Sequence, residues 1–178
     1  MHINHVTNAQ RVGHITLSTT HEKKLTLVTD PGISRDQLRD ENGRVYFITL
    51  NGEIEKIGGS QSKGGIQATI AAYLGGFAKG MSPRSYCGWN YIRQQTLAGN
   101  HVEFWFILAP TTVAKIPTMN GIIEQEIAVD FHQIETACVA EFLEIEKEYP
   151  YLNMQESGRR WIDTGLLEGY PGIIDTKA

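Results

Sequence analysis

The chain has 178 residues, of which 41% are hydrophobic and 20% charged, and its formal net charge is −4. This length favours one domain, since two domains within it would each have little interior to bury. The net charge argues against a generally basic nucleic-acid-binding protein, and no apolar run approaches the roughly 20 residues that a membrane-spanning helix needs. The chain start lacks the apolar core of a signal peptide and the two cysteines lack metal-site spacing, so we expect a cytoplasmic protein without a membrane partner.

Charge is distributed unevenly along the chain. Between Lys56 and Asn100 there are five basic residues and no acidic one, whereas from Glu103 to Glu148 nine acidic residues face two lysines. The basic segment can bind a polyanion, while the acidic segment holds a metal ion or repels the wrong partner. A chance imbalance on two solvated surfaces is the alternative interpretation.

The first 42 residues contain a predicted strand pair. Residues 13–17 and 24–28 mix apolar with polar or β-branched positions, and the second run precedes the turn Asp30-Pro31-Gly32. We therefore expect an N-terminal extension, residues 1–42, that carries a β annex. Its last part, residues 34–42, is charged and rich in turn residues, which indicates a short helix or a loop.

Two apolar runs joined at Asn51-Gly52 predict a tight β-hairpin over Arg44–Gly58. Asn-Gly tolerates positive φ at both central positions of a type I′ turn. A two-residue turn without a bulge pairs Tyr46 with Ile57, which sets the side chains of Tyr46 and Lys56 on opposite faces. A longer turn or a bulge would bring both to one face; the simple alternative is a solvated lysine.

The segment after the hairpin predicts two helices followed by strands. A glycine-rich loop precedes a helix at residues 66–77, which we expect to end at Gly75-Gly76. A loop at 79–88 then leads to a second helix at 89–97. Strands are expected at 101–108, beside the hairpin, and at 113–116 and 122–129, around a turn at Asn120-Gly121.

The strongest predicted helix spans Phe131–Tyr149, and Asp130 is its expected N-cap. Glu135 lies about 40° from the middle of its apolar stripe and not on the solvated face. A carboxylate there has to be paired, protonated or bound to a metal ion, and a salt bridge to a Lys or Arg is the alternative to a metal site. The residues of the stripe are Phe131, Ile134, Cys138, Phe142, Ile145 and Tyr149.

In their order, these features resemble the GIY-YIG nuclease superfamily. The matching segments are Val45-Tyr46-Phe47 and Lys56-Ile57-Gly58 on the hairpin, Glu135 on the long helix, and Asn153 in Pro150-Tyr151-Leu152-Asn153. The nearest resemblance is to small type II restriction endonucleases whose second triad is Lys-Ile-Gly. It implies a nuclease domain over residues 43–154, preceded by the extension 1–42 and followed by a C-terminal extension, 155–178.

We expect an α+β fold with a central, mostly antiparallel sheet flanked by helices. By resemblance, the protein would be a metal-dependent, sequence-specific endonuclease that hydrolyses double-stranded DNA. Tyr46 or Lys56 would activate a water molecule, Glu135 would bind Mg²⁺ or Mn²⁺, and Asn153 matches a further residue of the family site. Cleavage of both strands of a palindromic target would favour a homodimer.

The chain departs from the family pattern at one position. In the family, the helix after the second triad carries an arginine that stabilises the charged phosphate. The corresponding helix here, residues 66–77, has no basic residue. The candidate replacements are Lys63, Arg84 and Arg93, and lysine would be the weaker substitute because it lacks the bidentate fork. The expected DNA-binding residues are Lys79, Arg84, Arg93, Gln94, Arg159 and Arg160.

Two other functions remain as alternatives. One is a non-catalytic DNA-binding descendant of the same fold that has lost the arginine. The other is a protein-interaction factor, such as a phage or defence regulator, that uses the acidic segment.

Overall fold

The computed structural model of the chain describes residues 1–20, 24–75 and 81–170. These residues form an α+β fold around a five-stranded antiparallel sheet, so the predicted fold class is confirmed. The strands follow the spatial order β2-β1-β5-β3-β4, and the N-terminal strand pair therefore belongs to the central sheet. Their bounds are β1 Gln10–Leu17, β2 Leu25–Thr29, β3 Arg44–Leu50, β4 Glu53–Ser60 and β5 Val102–Leu108.

Five α-helices accompany the sheet in the described part of the chain. None of them is long and apolar enough to span a membrane. Their bounds are α1 Arg35–Arg39, α2 Gly65–Leu74, α3 Pro83–Leu97, α4 Phe131–Glu146 and α5 Met154–Ser157, with 3-10 turns at Ile3–His5 and Trp161–Thr164.

A second, two-stranded sheet forms a ribbon outside the central one. It pairs β6 (Thr111–Thr118) with β7 (Gly121–Ala128), as the turn at Asn120-Gly121 predicts. Every residue of β7 is exposed, because the ribbon packs mainly on itself.

The central sheet separates two apolar layers. On one face Phe104 of β5 packs in a cluster with Ile70 of α2 and Ile92 of α3. On the other face Phe47 of β3 packs in a cluster with Phe142 of α4. β3 is buried on both faces, which explains why its sequence is continuously apolar and does not alternate.

α3 begins earlier than the sequence predicts. The loop predicted over 79–88 is wrong for residues 83–88, which form the first turns of the helix. Ser82 caps this end by accepting a hydrogen bond from the Ser85 backbone N–H, and Pro83 occupies the first turn, where no intrahelical donor is needed. α2 ends at Leu74, with Gly75 as its C-cap.

α4 is shorter than predicted, and its apolar stripe ends sooner. The helix stops at Glu146, where Lys147 adopts a left-handed conformation with φ 62°. Phe142 is buried as predicted, but Ile145 is 61% exposed, so the stripe is wrong at that residue. α4 packs mainly on β3 and β4, and this narrow contact covers only part of its predicted face. Asp130 caps the helix as expected, by accepting from the His132 N–H.

Replacement of Phe104 by alanine tests the position of β5 inside the sheet. Phe104→Ala is expected to lower the free energy of unfolding by about 3–5 kcal/mol, since a fully buried ring leaves a cavity between β5 and α2. Urea unfolding measures the change. The matched control is Val113→Ala on the ribbon, where a 64% exposed side chain should cost less than about 0.5 kcal/mol. Equal losses for the two variants would contradict the assignment of β5 to the interior.

Candidate active site

A β-bulge shifts the register of the hairpin formed by β3 and β4. Near the turn, Thr49 pairs with Ile54, but the next pair joins Ile48 to Lys56, so Glu55 is an extra residue on β4. The prediction that the hairpin has a longer turn or a bulge is therefore confirmed.

The bulge brings Tyr46 and Lys56 to the same face of the sheet. Beyond the bulge, Tyr46 pairs with Gly58, which lies two residues from Lys56. Directly paired residues and alternate residues of a strand share a face, so both side chains point to the side that carries α2 and α3. Without the extra residue, the lysine would point to the α4 side.

Tyr46 and Lys56 line a cleft of about 400 Å³ between this hairpin, α2 and α3. Both are almost fully buried, with exposures of 6% and 3%. Tyr73 of α2 and Arg84 of α3 complete the polar lining on the helical side, and Trp161 lines the cleft from the C-terminal 3-10 turn.

The hydroxyl groups of Tyr46 and Tyr73 form a hydrogen bond of 2.8 Å. Their rings meet edge-to-face, with centroids 5.9 Å apart. Burial raises the pKa of Tyr46, whereas the hydrogen bond from Tyr73 lowers it. Tyr73 was missed at the sequence level because helical spacing assigns it to the apolar face of α2. The available signal was that the apolar face of α2, which carries Tyr73, also has to pack against the hairpin that carries Tyr46.

Lys56 carries its amine in an environment that disfavours the charge. Burial lowers its pKa to about 8, Arg84 acts in the same direction, and Glu156 and Glu135 oppose the shift. A lysine with this pKa is partly neutral near neutral pH and can accept a proton, which an ordinary solvated lysine cannot do. Because Lys56 is only 3% exposed, the alternative of a solvated lysine is wrong.

Glu135 of α4 contacts the edge strand β4 from the face of the sheet opposite to α2 and α3. A Cβ atom at Gly59 would overlap Oε2 of Glu135, so glycine at this position leaves the space that the carboxylate fills. Gly59 also lines the cleft, and the charge of Glu135 acts on Tyr46 and Lys56. The salt-bridge partner recorded for this carboxylate within the described residues is His132, at 3.6 Å, and not the Lys or Arg of the alternative interpretation.

Asn153 fixes the position of β4 beside Lys56. Its side chain accepts a hydrogen bond from the Ile57 N–H at 2.9 Å and donates one to the Ile57 carbonyl at 3.0 Å. These bonds satisfy backbone groups on the outer edge of β4, which is the last strand of the sheet among the described residues. Asn153 is fully buried, so its contacts here are with the strand that carries the lysine.

Arg84 is the candidate for the missing arginine that lies in the cleft. It donates a hydrogen bond of 3.0 Å to Oε1 of Gln155, which connects α3 to α5. Lys63 lies instead in a separate groove with Arg39 and Glu41. Arg93 places its guanidinium over the ring of Trp89, 5.8 Å from the centroid.

The other predicted DNA-binding residues are dispersed. Arg159 packs over the ring of Tyr151 and donates to the Tyr151 carbonyl, in a groove that also contains several glutamates. Gln94 and Arg160 are exposed. Lys79 lies outside the described residues. The structure therefore brings together Tyr46, Lys56, Arg84 and Glu135, but not the full predicted set.

Metal binding in this region would depend on Glu135. The described residues contain no group of three or more His, Cys, Asp or Glu side chains suited to hold a metal ion. One carboxylate beside a cleft is nevertheless a sufficient protein ligand for Mg²⁺, which keeps most of its waters and takes the remaining ligands from phosphate groups. The partly exposed Glu135 carboxylate, in the space left by Gly59, fits such an ion.

Two solved structures are similar to this chain. A point mutant of EndoII from bacteriophage T4 matches with a TM-score of 0.54 at 14% identity, over 82% of this chain and 95% of that chain. The restriction endonuclease Hpy188I in complex with product DNA matches with a TM-score of 0.42 at 16% identity, over 80% of this chain and 78% of that chain. No family model and no curated protein sequence matches the chain. The similarity to EndoII establishes the fold.

The pKa of Lys56 predicts how stability changes with pH. Between its pKa of about 8 in the folded protein and its ordinary 10.5, the unfolded chain binds the proton that the folded protein has lost. The free energy of unfolding should therefore rise with pH in this window, by up to about 3 kcal/mol for this group. Lys56→Met should remove that rise, as measured by urea unfolding from pH 7.5 to 10.5. Lys63→Met, at an exposed lysine, should retain it; loss of the rise in both variants would contradict the assignment.

Proposed function

We propose that this protein is a metal-dependent, sequence-specific endonuclease that hydrolyses phosphodiester bonds in double-stranded DNA. The observation that carries the proposal is the arrangement around β4, where a buried lysine, a tyrosine pair and an arginine line one cleft and a carboxylate lies beside it. The fold shared with the T4 nuclease EndoII supports the same function.

Glu135 is the residue that would hold a divalent cation, Mg²⁺ or Mn²⁺. Its carboxylate is 25% exposed, which leaves room for water and substrate oxygens around an ion. The ion would supply Lewis-acid polarisation of the scissile phosphate. The remaining steps belong to side chains of the chain itself.

Tyr46 and Lys56 form the base. Tyr46 and Lys56 both line the cleft; the phenol of Tyr46 would contact the attacking water, and the unprotonated fraction of the Lys56 amine would take up the proton. Burial raises the pKa of Tyr46, so its phenol is neutral, and lowers the pKa of Lys56 to about 8, so a fraction of its amine is neutral near neutral pH and the fraction grows as the pH rises. Asn153 contributes by fixing β4, and therefore the position of Lys56, through its two bonds to Ile57.

Arg84 takes the role of the arginine that the family carries in α2. Its guanidinium lines the cleft from α3, and its electrostatic effect extends to Tyr46, Tyr73 and Lys56. A planar guanidinium can bind two phosphate oxygens at once, and it stabilises the negative charge that increases in the transition state.

Target recognition is the part of the proposal that needs further surfaces. Gln94 and Arg160 are exposed and can donate to base edges or phosphates, and a palindromic target would be cut by two copies of the chain. A homodimer is accordingly part of the proposal.

Glu135→Ala is the direct test of catalysis. Incubation of plasmid DNA with Mg²⁺ or Mn²⁺ should give discrete fragments with the natural chain and a loss of cleavage of roughly a hundredfold or more with the variant, because the metal loses its protein ligand. Glu141→Ala, at an exposed carboxylate of the same helix, is the matched control and should cleave normally.

Two outcomes would contradict the endonuclease, and a third would contradict only the role of Glu135. Salt-dependent duplex binding without cleavage under either metal would favour the non-catalytic DNA-binding protein. Absence of any salt-dependent DNA binding would favour the protein-interaction factor. Equal cleavage by the Glu135→Ala variant and its control would show that Glu135 has no role in catalysis.

Arg84→Lys tests whether α3 supplies the missing arginine. The lysine retains the charge but not the fork, so kcat should fall by roughly tenfold to a hundredfold in single-turnover cleavage assays. Arg35→Lys, at an exposed arginine of α1 outside the cleft, should leave kcat unchanged. An Arg84→Lys variant with natural kcat would assign the phosphate contact to another residue.

A further inference from the structure

The tyrosine pair in the cleft contains one member for which the proposed reaction has no role. Tyr46 is part of the base, whereas Tyr73 enters the cleft from α2 and contacts Tyr46 through its hydroxyl, at 2.8 Å. A ring at this position could serve packing alone. The hydroxyl is the part that needs an explanation.

The surroundings of Tyr73 are shaped to its ring. A Cβ atom at Gly88 would lie 3.0 Å from the ring carbons, so α3 approaches this closely only because it carries glycine there. The ring of Phe104 lies on another side, with centroids 5.8 Å apart. These contacts restrict the ring, and they direct its hydroxyl to Tyr46.

Tyr46 is held in the same manner from the strand side. A Cβ atom at Gly58, its partner on β4, would overlap the phenol end of the ring. With both rings fixed, rotation about each C–O bond is the remaining freedom of the hydroxyl protons; the bond between the oxygens fixes the donor's proton and leaves the acceptor's proton the orientation that points away from the donor. The pair therefore defines where the free proton of Tyr46 points.

We propose that Tyr73 is a positioning residue, which donates its hydroxyl proton to the oxygen of Tyr46 and so directs the proton of Tyr46 into the cleft, towards Lys56. The catalytic consequence depends on the proposed endonuclease activity; the hydrogen-bond direction does not. No bond to substrate is made by Tyr73 itself.

Electrostatics around the pair agrees with this direction. The charged groups that act on Tyr46 come from three helices: Arg84 from α3, Glu135 from α4 and Glu156 from α5. The bond between the tyrosines lowers the pKa of Tyr46 and raises that of Tyr73, as expected when Tyr73 is the donor. Lys56 also lines the cleft, and its pKa of about 8 lets its unprotonated fraction receive a proton.

Tyr73→Phe removes the hydroxyl and keeps the ring. We expect kcat for DNA cleavage to fall roughly tenfold, with KM and the urea midpoint nearly unchanged, because the tyrosine orients another residue and does not bind DNA. Tyr86→Phe is the control: this buried tyrosine of α3 donates to the Glu168 carbonyl at 2.9 Å, and its loss should leave kcat unchanged.

A double-mutant cycle decides whether Tyr73 acts through Tyr46. The tenfold loss caused by Tyr73→Phe in the natural chain should disappear when it is made in the Tyr46→Phe chain, since the group it orients is already absent. An equal loss in both backgrounds would overturn the proposal and assign Tyr73 an independent role. An unchanged kcat in the single variant would also overturn the proposal, since the hydroxyl of Tyr73 would then have no catalytic role.

Proton NMR of the metal-free protein without DNA separates this inference from the proposed function. The bonded hydroxyl proton should give an exchange-protected resonance in the natural chain that is absent from Tyr46→Phe and Tyr73→Phe and present in Tyr86→Phe. A protected resonance that persists in Tyr73→Phe would overturn the proposal. If the natural chain shows the resonance but cleaves no DNA, the endonuclease fails while the hydrogen-bond assignment stands.

Discussion

The bulge at Glu55 is the constraint on which the rest of the site depends. Side chains alternate along a strand, so one extra residue moves every later side chain of β4 to the opposite face. It places Lys56 beside Tyr46, and it leaves Gly58 and Gly59 opposite the tyrosine and the glutamate. In a hairpin without the bulge, Lys56 would point to the α4 side and would not line this cleft.

Gly58 and Gly59 explain how β4, an edge strand, can contact functional side chains on both of its faces. Gly58 gives the phenol of Tyr46 its space on the helical side, and Gly59 gives Glu135 its space on the α4 side. Because neither glycine has a side chain, only the backbone of β4 separates the Glu135 carboxylate from the cleft at this point. Burial lowers the pKa of Lys56, and the carboxylates of Glu156 and Glu135 partly offset this shift.

Elements with strong local signals could be predicted from the sequence, and elements that depend on packing could not. The Asn51-Gly52 turn, β5 and the start of α4 all follow from local patterns, and each is present. The first turns of α3 were missed because Pro83 was interpreted as a loop residue, although proline is also favoured where a helix begins. Ile145 was assigned to the interior by periodicity, but the width of the neighbouring sheet determines which positions of a helix are covered.

Among the site residues, the sequence by itself determined that Tyr46 and Lys56 lie on one hairpin and that Glu135 departs from the solvated face of its helix. Only the tertiary structure decided that Arg84, and neither Lys63 nor Arg93, lines the cleft, and that Tyr73 contacts Tyr46. The physical reason is sequence separation. Strand alternation and helical periodicity relate residues within one element, whereas the contacts among α2, α3 and the hairpin depend on how separate elements pack around a shared interior.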